Sequence, residues 1–346
     1  MGGPNWRRKG GWSSLDDDGG ISEYMYTANP CGPRPWLGIT CNSTSTPPAA
    51  SHVTRLELPQ NNLEAPSLQP AAVLLKDLPH LTIFDVSNLG NDKSPEFLTR
   101  NANRIGGAMP EAICGVGSGS LEELNLAYIN ISGTLPRCLD GTEMPRLRVV
   151  NLNFNAIEGA TPSAVCSLGA LEELLLRGNR MTGRIPECLG SGCARLRKLD
   201  YTSLNADGGF PGPQSLEGTI PRSICELEHL EELQLQFTRG INGSIPNCLG
   251  SNQDSLRAVV LSGNKLTGEI PESLCAIGDS FELFYAYDNY VRSPHSIQFN
   301  SIRLCHNSRN LLPPSKYAHT CFFFCFIVSR FAIANSSRVR FPHALG

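Results

Sequence analysis

Cysteine is the residue whose type and spacing in this chain could do chemistry. Thirteen are present, and seven of them follow prolines at two alternating distances. Cys114, Cys166, Cys225 and Cys275 stand four residues after Pro110, Pro162, Pro221 and Pro271, whereas Cys138, Cys188 and Cys248 stand two after Pro136, Pro186 and Pro246. If successive segments stack, a cysteine just before the core position of one segment can face a cysteine just after that of the preceding segment, and Cα atoms about 4.4–6.8 Å apart can be bridged. One register joins Cys114 to Cys138, Cys166 to Cys188 and Cys225 to Cys248, leaving Cys275 over. The shifted register, beginning with Cys138 and Cys166, leaves Cys114 over. In a third reading all seven are small apolar fillers with free thiols. Zinc chemistry is not expected, because Cys188 and Cys193, or Cys321 and Cys325, lack the short paired spacing and companion histidines that a metal site needs.

Catalysis finds no constellation. The histidines are scattered at His52, His80, His229, His295, His306, His319 and His343. No His-Glu-x-x-His pair, phosphate loop or Gly-x-Ser-x-Gly elbow is present. The chain is therefore read as a non-enzyme, with no cofactor, metal or nucleic acid among its partners.

The elements that must carry these residues are repeats. Leu121-Glu-Glu-Leu124, Leu147-Arg-Val-Val150, Leu171-Glu-Glu-Leu174, Leu196-Arg-Lys-Leu199, Leu230-Glu-Glu-Leu233 and Leu256-Arg-Ala-Val259 all open the pattern Leu-x-x-Leu-x-Leu-x-x-Asn-x-Leu-x-Gly-x-Ile-Pro. It recurs about every 24 residues, a period that marks solenoids. A unit this small buries its Leu positions only by stacking on neighbours, which predicts a parallel strand ladder with turns or short helices opposite. One register position reads Glu122, Arg148, Glu172, Arg197, Glu231, Arg257, Glu282. Opposite charges side by side there fix register and point to duplication of a two-repeat unit.

The Asn of the pattern, present as Asn61, Asn155, Asn179, Asn264 and Asn289, has an amide suited to backbone groups inside an inward-turning loop. Leu89, Ile129, Leu204 and Thr238 are read at that position in the other repeats. Two insertions, near 92–103 and 206–215, coincide with the first and third of these.

The strand exit, as in Asn179-Arg-Met-Thr-Gly183-Arg-Ile185-Pro186, resembles the plant-type subclass of leucine-rich repeats. The resemblance covers residues 53 to about 291, roughly nine repeats. It implies an α/β solenoid: a leucine-rich-repeat superhelix with a parallel sheet on the concave face and short helices or turns on the convex side. It also implies a recognition role similar to receptor-like ectodomains or secreted glycosidase inhibitors.

Outward side chains between the Leu positions then line the concave face. Tyr128, Phe154, Arg177, Gln236, Phe237, Tyr285 and Tyr287 are the candidate ligand-binding residues, since aromatics and Arg are enriched at interface hot spots. A protein, peptide or glycan is the expected ligand, with the insertion loops at the rim contributing specificity. The alternative is an intracellular protein-binding scaffold with reduced cysteines.

Three domains are expected: a cap over 1–52, the repeats over 53–291 and a non-repeat tail over 292–346. The N-terminal series Trp6, Trp12, Pro30-Cys31 and Trp36-Leu-Gly38-Ile-Thr-Cys41 is similar to the cap of plant and protist leucine-rich-repeat ectodomains, which implies a Cys31–Cys41 disulfide. Met1 to Glu23 holds no apolar run of signal-peptide length. Because the cap motif starts almost at Met1, the N-terminus is read as truncated, and the location as extracellular or cell surface, with cytoplasm as the alternative. Sequons at Asn42, Asn130 and Asn242, and a further one at Asn335, fit a secreted glycoprotein. All 32 acidic residues and 22 of the 29 Lys and Arg precede residue 289, so the tail is basic as well as Phe-rich. Its apolar stretch from Cys321 to Ala334 is shorter than a membrane span, and the tail is read as disordered, a damaged anchor or non-native sequence.

Overall fold

The computed structural model describes residues 7–8, 31, 38–43, 51–58, 63–65, 67–87, 103–203, 214–275, 277 and 280–292. Most of the expected insertions, the tail from residue 293, the Trp-bearing part of the cap and the Asn335 sequon lie outside them, as do Asn61, Leu89 and Leu204.

Each Leu-x-x-Leu-x-Leu run forms a short strand because its side chains alternate between core and surface at the strand period. In chain order these are β1 Ile39–Ser43, β2 Ser51–Glu57, β3 Ile83–Asp85, β4 Glu123–Asn125, β5 Val149–Asn151, β6 Glu173–Leu175, β7 Lys198–Asp200, β8 Glu232–Gln234, β9 Ala258–Val260 and β10 Leu283–Tyr285. They make one sheet whose spatial order is the sequence order, parallel from β2 to β10. Leu124, Val150, Leu174, Leu199, Leu233, Val259 and Phe284 fall on one register line. Leu126, Leu152, Leu176 and Leu261 are fully buried behind it. Strand β1 runs antiparallel to β2 and covers the sheet's N-terminal edge, which would otherwise present unpaired backbone groups. Cys41 of β1 is bonded to Cys31, with Cα atoms 5.6 Å apart.

The segments that carry the glycine of the Gly-x-Ile-Pro exits form a second parallel sheet. It contains Ser132–Thr134, Ala156–Gly159, Arg180–Gly183, Ser215–Thr219, Gly240–Ser244 and Lys265–Thr267. The glycine explains the regularity: Gly159 and Gly183 adopt positive φ, and a Cβ on Gly183 would come within 2.8 Å of the Ala160 side chain in the preceding coil. The prolines then lead into 3-10 turns such as Ser163–Ser167 and Arg222–Glu226 on the convex side. Among the described residues no helix is long and apolar enough to cross a membrane.

The convex turns bring the cysteines together in the first of the two registers. Cys114–Cys138, Cys166–Cys188 and Cys225–Cys248 are bonded, with Cα separations of 5.9, 5.7 and 5.7 Å. Cys193 is a buried thiol, pushed up to about 11 by its apolar surroundings.

The Asn ladder corrects the reading of both insertions. Asn179 Nδ2 donates to the carbonyls of Leu152 and Leu176 at 2.9 and 3.0 Å, and its Oδ1 accepts from Ile157 N. Asn155, Asn264 and Asn289 repeat this pattern. In the second repeat the same place is filled by Asn103, which donates to Leu58, Val86 and Ser87 carbonyls at 2.9, 2.7 and 3.2 Å. In the sixth it is filled by Gln214, whose Nε2 donates to the Leu176 and Thr202 carbonyls. Asn103 and Gln214 therefore belong to the solenoid, and each extra segment lies between the concave strand and its ladder amide. Counting a fixed number of residues from the strand selected Leu89 and Leu204 instead. Ile129 has no amide of its own; Asn155 Oδ1 accepts its N–H at 3.2 Å. Thr238 donates its hydroxyl to Asn264 Oδ1 at 2.6 Å.

Candidate functional site

Outward positions of β4 to β10 and the residues just after them make rows running along the solenoid. One row carries Asn125, Asn151, Leu175, Asp200, Gln234, Val260 and Tyr285 in register. The next carries Ala127, Asn153, Arg177, Thr202, Gln236, Ser262 and Tyr287, and beyond it lie Tyr128, Phe154, Gly178, Ser203, Phe237, Gly263 and Asp288. All seven candidate ligand-binding residues fall in these rows, half-buried.

The last row is conformationally demanding. At six of its seven positions, all but Ser203, the backbone turns with positive φ, and Gly178 and Gly263 meet that without strain at φ 66° and 71°. Tyr128, Phe154 and Phe237 adopt φ of 60°, 58° and 58° at the same place. A side chain in this region costs roughly 1–2 kcal/mol. Sequence periodicity carries no signal for that strain, because the inward pattern is unchanged by it.

The rings gather in two groups. Tyr128 and Phe154 stack with centroids 4.0 Å apart and planes 19° apart, and the Arg177 guanidinium lies 5.6 Å from the Phe154 centroid on a cation–π contact. Burial pushes the Tyr128 phenol up to about 12, against the opposing effect of Arg177, so it remains a neutral hydroxyl near neutrality. Phe237 meets Tyr287 edge-on at 6.2 Å, and Tyr287 meets Tyr285 in the same way at 6.2 Å. Gly263 makes room for the Phe237 ring, which occupies the space a Cβ there would fill. Gln236 stands in the same repeat as Phe237, and its carbonyl accepts from Ser203 N.

Charge on the face is mostly neutralised locally. Lys198 bridges Glu173 and Glu232 at 3.4 and 3.8 Å. Arg55 pairs with Glu57 at 2.8 Å. Asp85, Asn125, Asn151 and Asp200 share one small device, each side-chain oxygen accepting the N–H two residues on. Asp200 is buried and its carboxyl is held above the usual range by desolvation, with its hydrogen bonds from Thr202 and the nearby Arg177 opposing the shift. Desolvation likewise raises Glu123, with Asp85 adding to the shift. Arg177 differs from the other cations named here: no carboxylate oxygen among the described residues lies within 4.0 Å of it, and its Nε is buried without an acceptor.

The Glu/Arg register forms ion pairs at the foot of the sheet. Arg148 contacts Glu172 at 2.9 Å and Glu122 only at 4.0 Å, and Arg197 contacts Glu231 at 2.6 Å. The exposed sequon residues Asn42, Asn130 and Asn242 lie away from the aromatic rows, on β1 and at the second sheet.

Comparison with known proteins agrees with this architecture. The Leucine Rich Repeat family profile matches residues 170–191 and 255–277. Receptor-like protein 35 of Arabidopsis thaliana is 29% identical over 199 residues, covering 51% of this chain and 20% of that protein. Receptor-like protein 18 of the same plant is 32% identical over 202 residues, covering 56% of this chain and 22% of its own length. The chain thus spans about a fifth of the curated relatives it matches. Among solved structures, it is similar to the leucine-rich-repeat ectodomain of the Arabidopsis membrane receptor kinase GASSHO1/SCHENGEN3, solved in complex with CASPARIAN STRIP INTEGRITY FACTOR 2. That match has a TM-score of 0.55 and 26% identity over 81% of this chain and 31% of the other. The chain is thus similar to plant leucine-rich-repeat proteins of the receptor-like class.

Proposed function

We propose that this chain is a non-catalytic recognition module that binds a protein or peptide on its concave face, outside the cell. The observation that carries the reading is the row of Tyr128, Phe154 and Phe237, half-exposed rings held at a backbone position that Gly178 and Gly263 occupy without strain. Strain maintained in bulky residues along one surface is a mark of selection for what the surface does. The similar receptor ectodomain, solved in complex with CASPARIAN STRIP INTEGRITY FACTOR 2, supports a recognition role of the same kind. The side chains along the face offer hydrogen bonds, rings and, at Arg177, a cation without a carboxylate in ion-pair reach, and no nucleophile–base pair stands among the residues described there.

The disulfides support an oxidising compartment. In that compartment Asn42, Asn130 and Asn242, all exposed, are the glycan acceptors. Thiol counting under denaturing conditions tests this directly: at least the eight cysteines bonded among the described residues are protected in the secreted protein, and thirteen reactive thiols would return it to the cytoplasm.

Ligand binding is tested with a displayed random-peptide library. Peptides selected by the chain are expected to lose binding to a triple variant with Tyr128, Phe154 and Phe237 changed to Gly, which keeps the backbone conformation. Binding unchanged by the triple variant sinks the assignment of this face.

A further inference from the structure

His52 and His80 meet at the foot of the sheet, where the first two coils stack. Each stands three residues before one of the register partners Arg55 and Ile83 of β2 and β3, so the parallel ladder sets the two side by side. Thr82 holds that register, its N–H and its hydroxyl donating to the Thr54 carbonyl at 2.7 and 2.9 Å. The ring centroids are 4.2 Å apart and the planes are tilted by 45°. His52 is half-buried and His80 exposed, and no ring nitrogen of either has a hydrogen-bond partner among the described residues. A neutral imidazole keeps one nitrogen as an acceptor, and two such nitrogens on a fixed scaffold make a chelating pair. Scattered along the sequence, these two histidines are joined only by stacking, as the cysteines of the convex side are.

The separation also selects the ion. With a metal about 2.0 Å from each nitrogen, and so about 3.2 Å from each ring centre, two imidazoles stand about 4.5 Å apart at a right angle and about 5.2 Å apart at the tetrahedral angle. The observed 4.2 Å lies near the first of these. Neighbouring ligands at a right angle belong to tetragonal Cu²⁺, which also binds imidazole most tightly among the first-row divalent ions. No third His, Cys, Asp or Glu joins the pair in a cluster among the described residues, so water completes the coordination. We infer that His52 and His80 form a copper(II) site that clamps the first two coils of the solenoid together, beside the capping strand β1, whose Asn42 is the register partner of His52. The site does not depend on what the concave face binds.

The test titrates Cu²⁺ into the full chain with reactive thiols alkylated and reads the bound ion by electron paramagnetic resonance. The first equivalent is expected to show two imidazole nitrogens and to raise the thermal unfolding midpoint. His52→Asn and His80→Asn are each expected to weaken that binding about ten- to a hundredfold and to cancel the rise, each variant checked for an unchanged far-ultraviolet spectrum. His229→Asn is the control. His229 occupies the same column, but its neighbours there are Arg195 and Ser255, so its loss is expected to change nothing. A first equivalent that shows one nitrogen or none, or that both single variants hold as tightly as wild type, overturns the site and marks the bound copper as adventitious. Equal dependence on His229 and His52 assigns the ion to separate imidazoles and overturns it as well. A two-nitrogen signal that needs both His52 and His80 but leaves the midpoint unmoved keeps the site and overturns the clamp.

Discussion

Asp200 and Phe237 each hold a residue type that the local physics disfavours, and in opposite ways. The Asp200 carboxylate is buried and raised by desolvation, so in the ionised form it opposes folding. As pH falls through its elevated folded value toward the ordinary aspartate range, protonation removes that penalty and the group's contribution improves. Asn in the same row, at Asn125 and Asn151, accepts the same type of N–H without charge. Asp200→Asn is therefore expected to be more stable than wild type at pH 7 in urea denaturation, with the difference shrinking as pH is lowered toward 4. A constant difference across that range would show that charge burial is not the cause. Phe237 is disfavoured by its backbone instead, at φ 58°. Gly relieves about 1–2 kcal/mol of left-handed strain and gives back roughly 0.5–1 kcal/mol in unfolded-chain entropy. Phe237→Gly is thus expected to equal or exceed Phe237→Ala in stability by up to about 1.5 kcal/mol, reversing the usual order, and calorimetry of the pair reads it.

At the scale of the element, the ladder amide decides where a repeat closes. Asn103 is buried and reaches three backbone carbonyls, so Asn103→Ala is expected to lose about 2–4 kcal/mol in chemical denaturation. Gln214→Ala, with two such contacts, is expected to lose less. Losses under about 0.5 kcal/mol would mark both as ordinary loop positions. These two residues also show what the chain makes legible. The strands, the core Leu positions and the outward rows are readable because side-chain alternation is local and repeats many times. The closing amides of the two interrupted repeats are not, because the chain returns to the ladder after a segment of arbitrary length, and Gln214 is not even an Asn. The second sheet escaped for another reason: its strands are recognisable only as a consequence of stacking, through a glycine whose missing Cβ admits the preceding coil at Ala160. The strain at Tyr128, Phe154 and Phe237 is a backbone property with no residue signature.

For the whole molecule, covalent and ionic cross-links choose the same partners. Cys166–Cys188 and Arg148–Glu172 join the β5 and β6 repeats, while Cys225–Cys248 and Arg197–Glu231 join those of β7 and β8. Between these pairs the contacts are non-covalent: Arg148 is 4.0 Å from Glu122 across one seam, and Lys198 reaches Glu173 across the other. A solenoid's stability is a sum of repeat terms and neighbour interfaces, so cross-linked pairs should open as units and the seams between them first. Backbone geometry does not distinguish the two kinds of interface. Leu126 and Tyr128 donate across the β4–β5 seam at 2.8 and 2.9 Å, and Leu152 and Phe154 donate within a cross-linked pair at 2.9 and 2.7 Å. Native-state hydrogen exchange in sub-denaturing guanidinium isolates the difference. Leu126, Tyr128, Leu176 and Gly178 are expected to exchange with lower opening free energies than Leu152, Phe154, Tyr201 and Ser203, and the gap is expected to narrow in the reduced protein. Equal protection in both sets, or a gap that reduction leaves intact, would make the two-repeat unit a record of duplication with no mechanical consequence. A ligand spanning Tyr128 to Phe237 crosses both seams, so it should raise protection at the first set more than at the second.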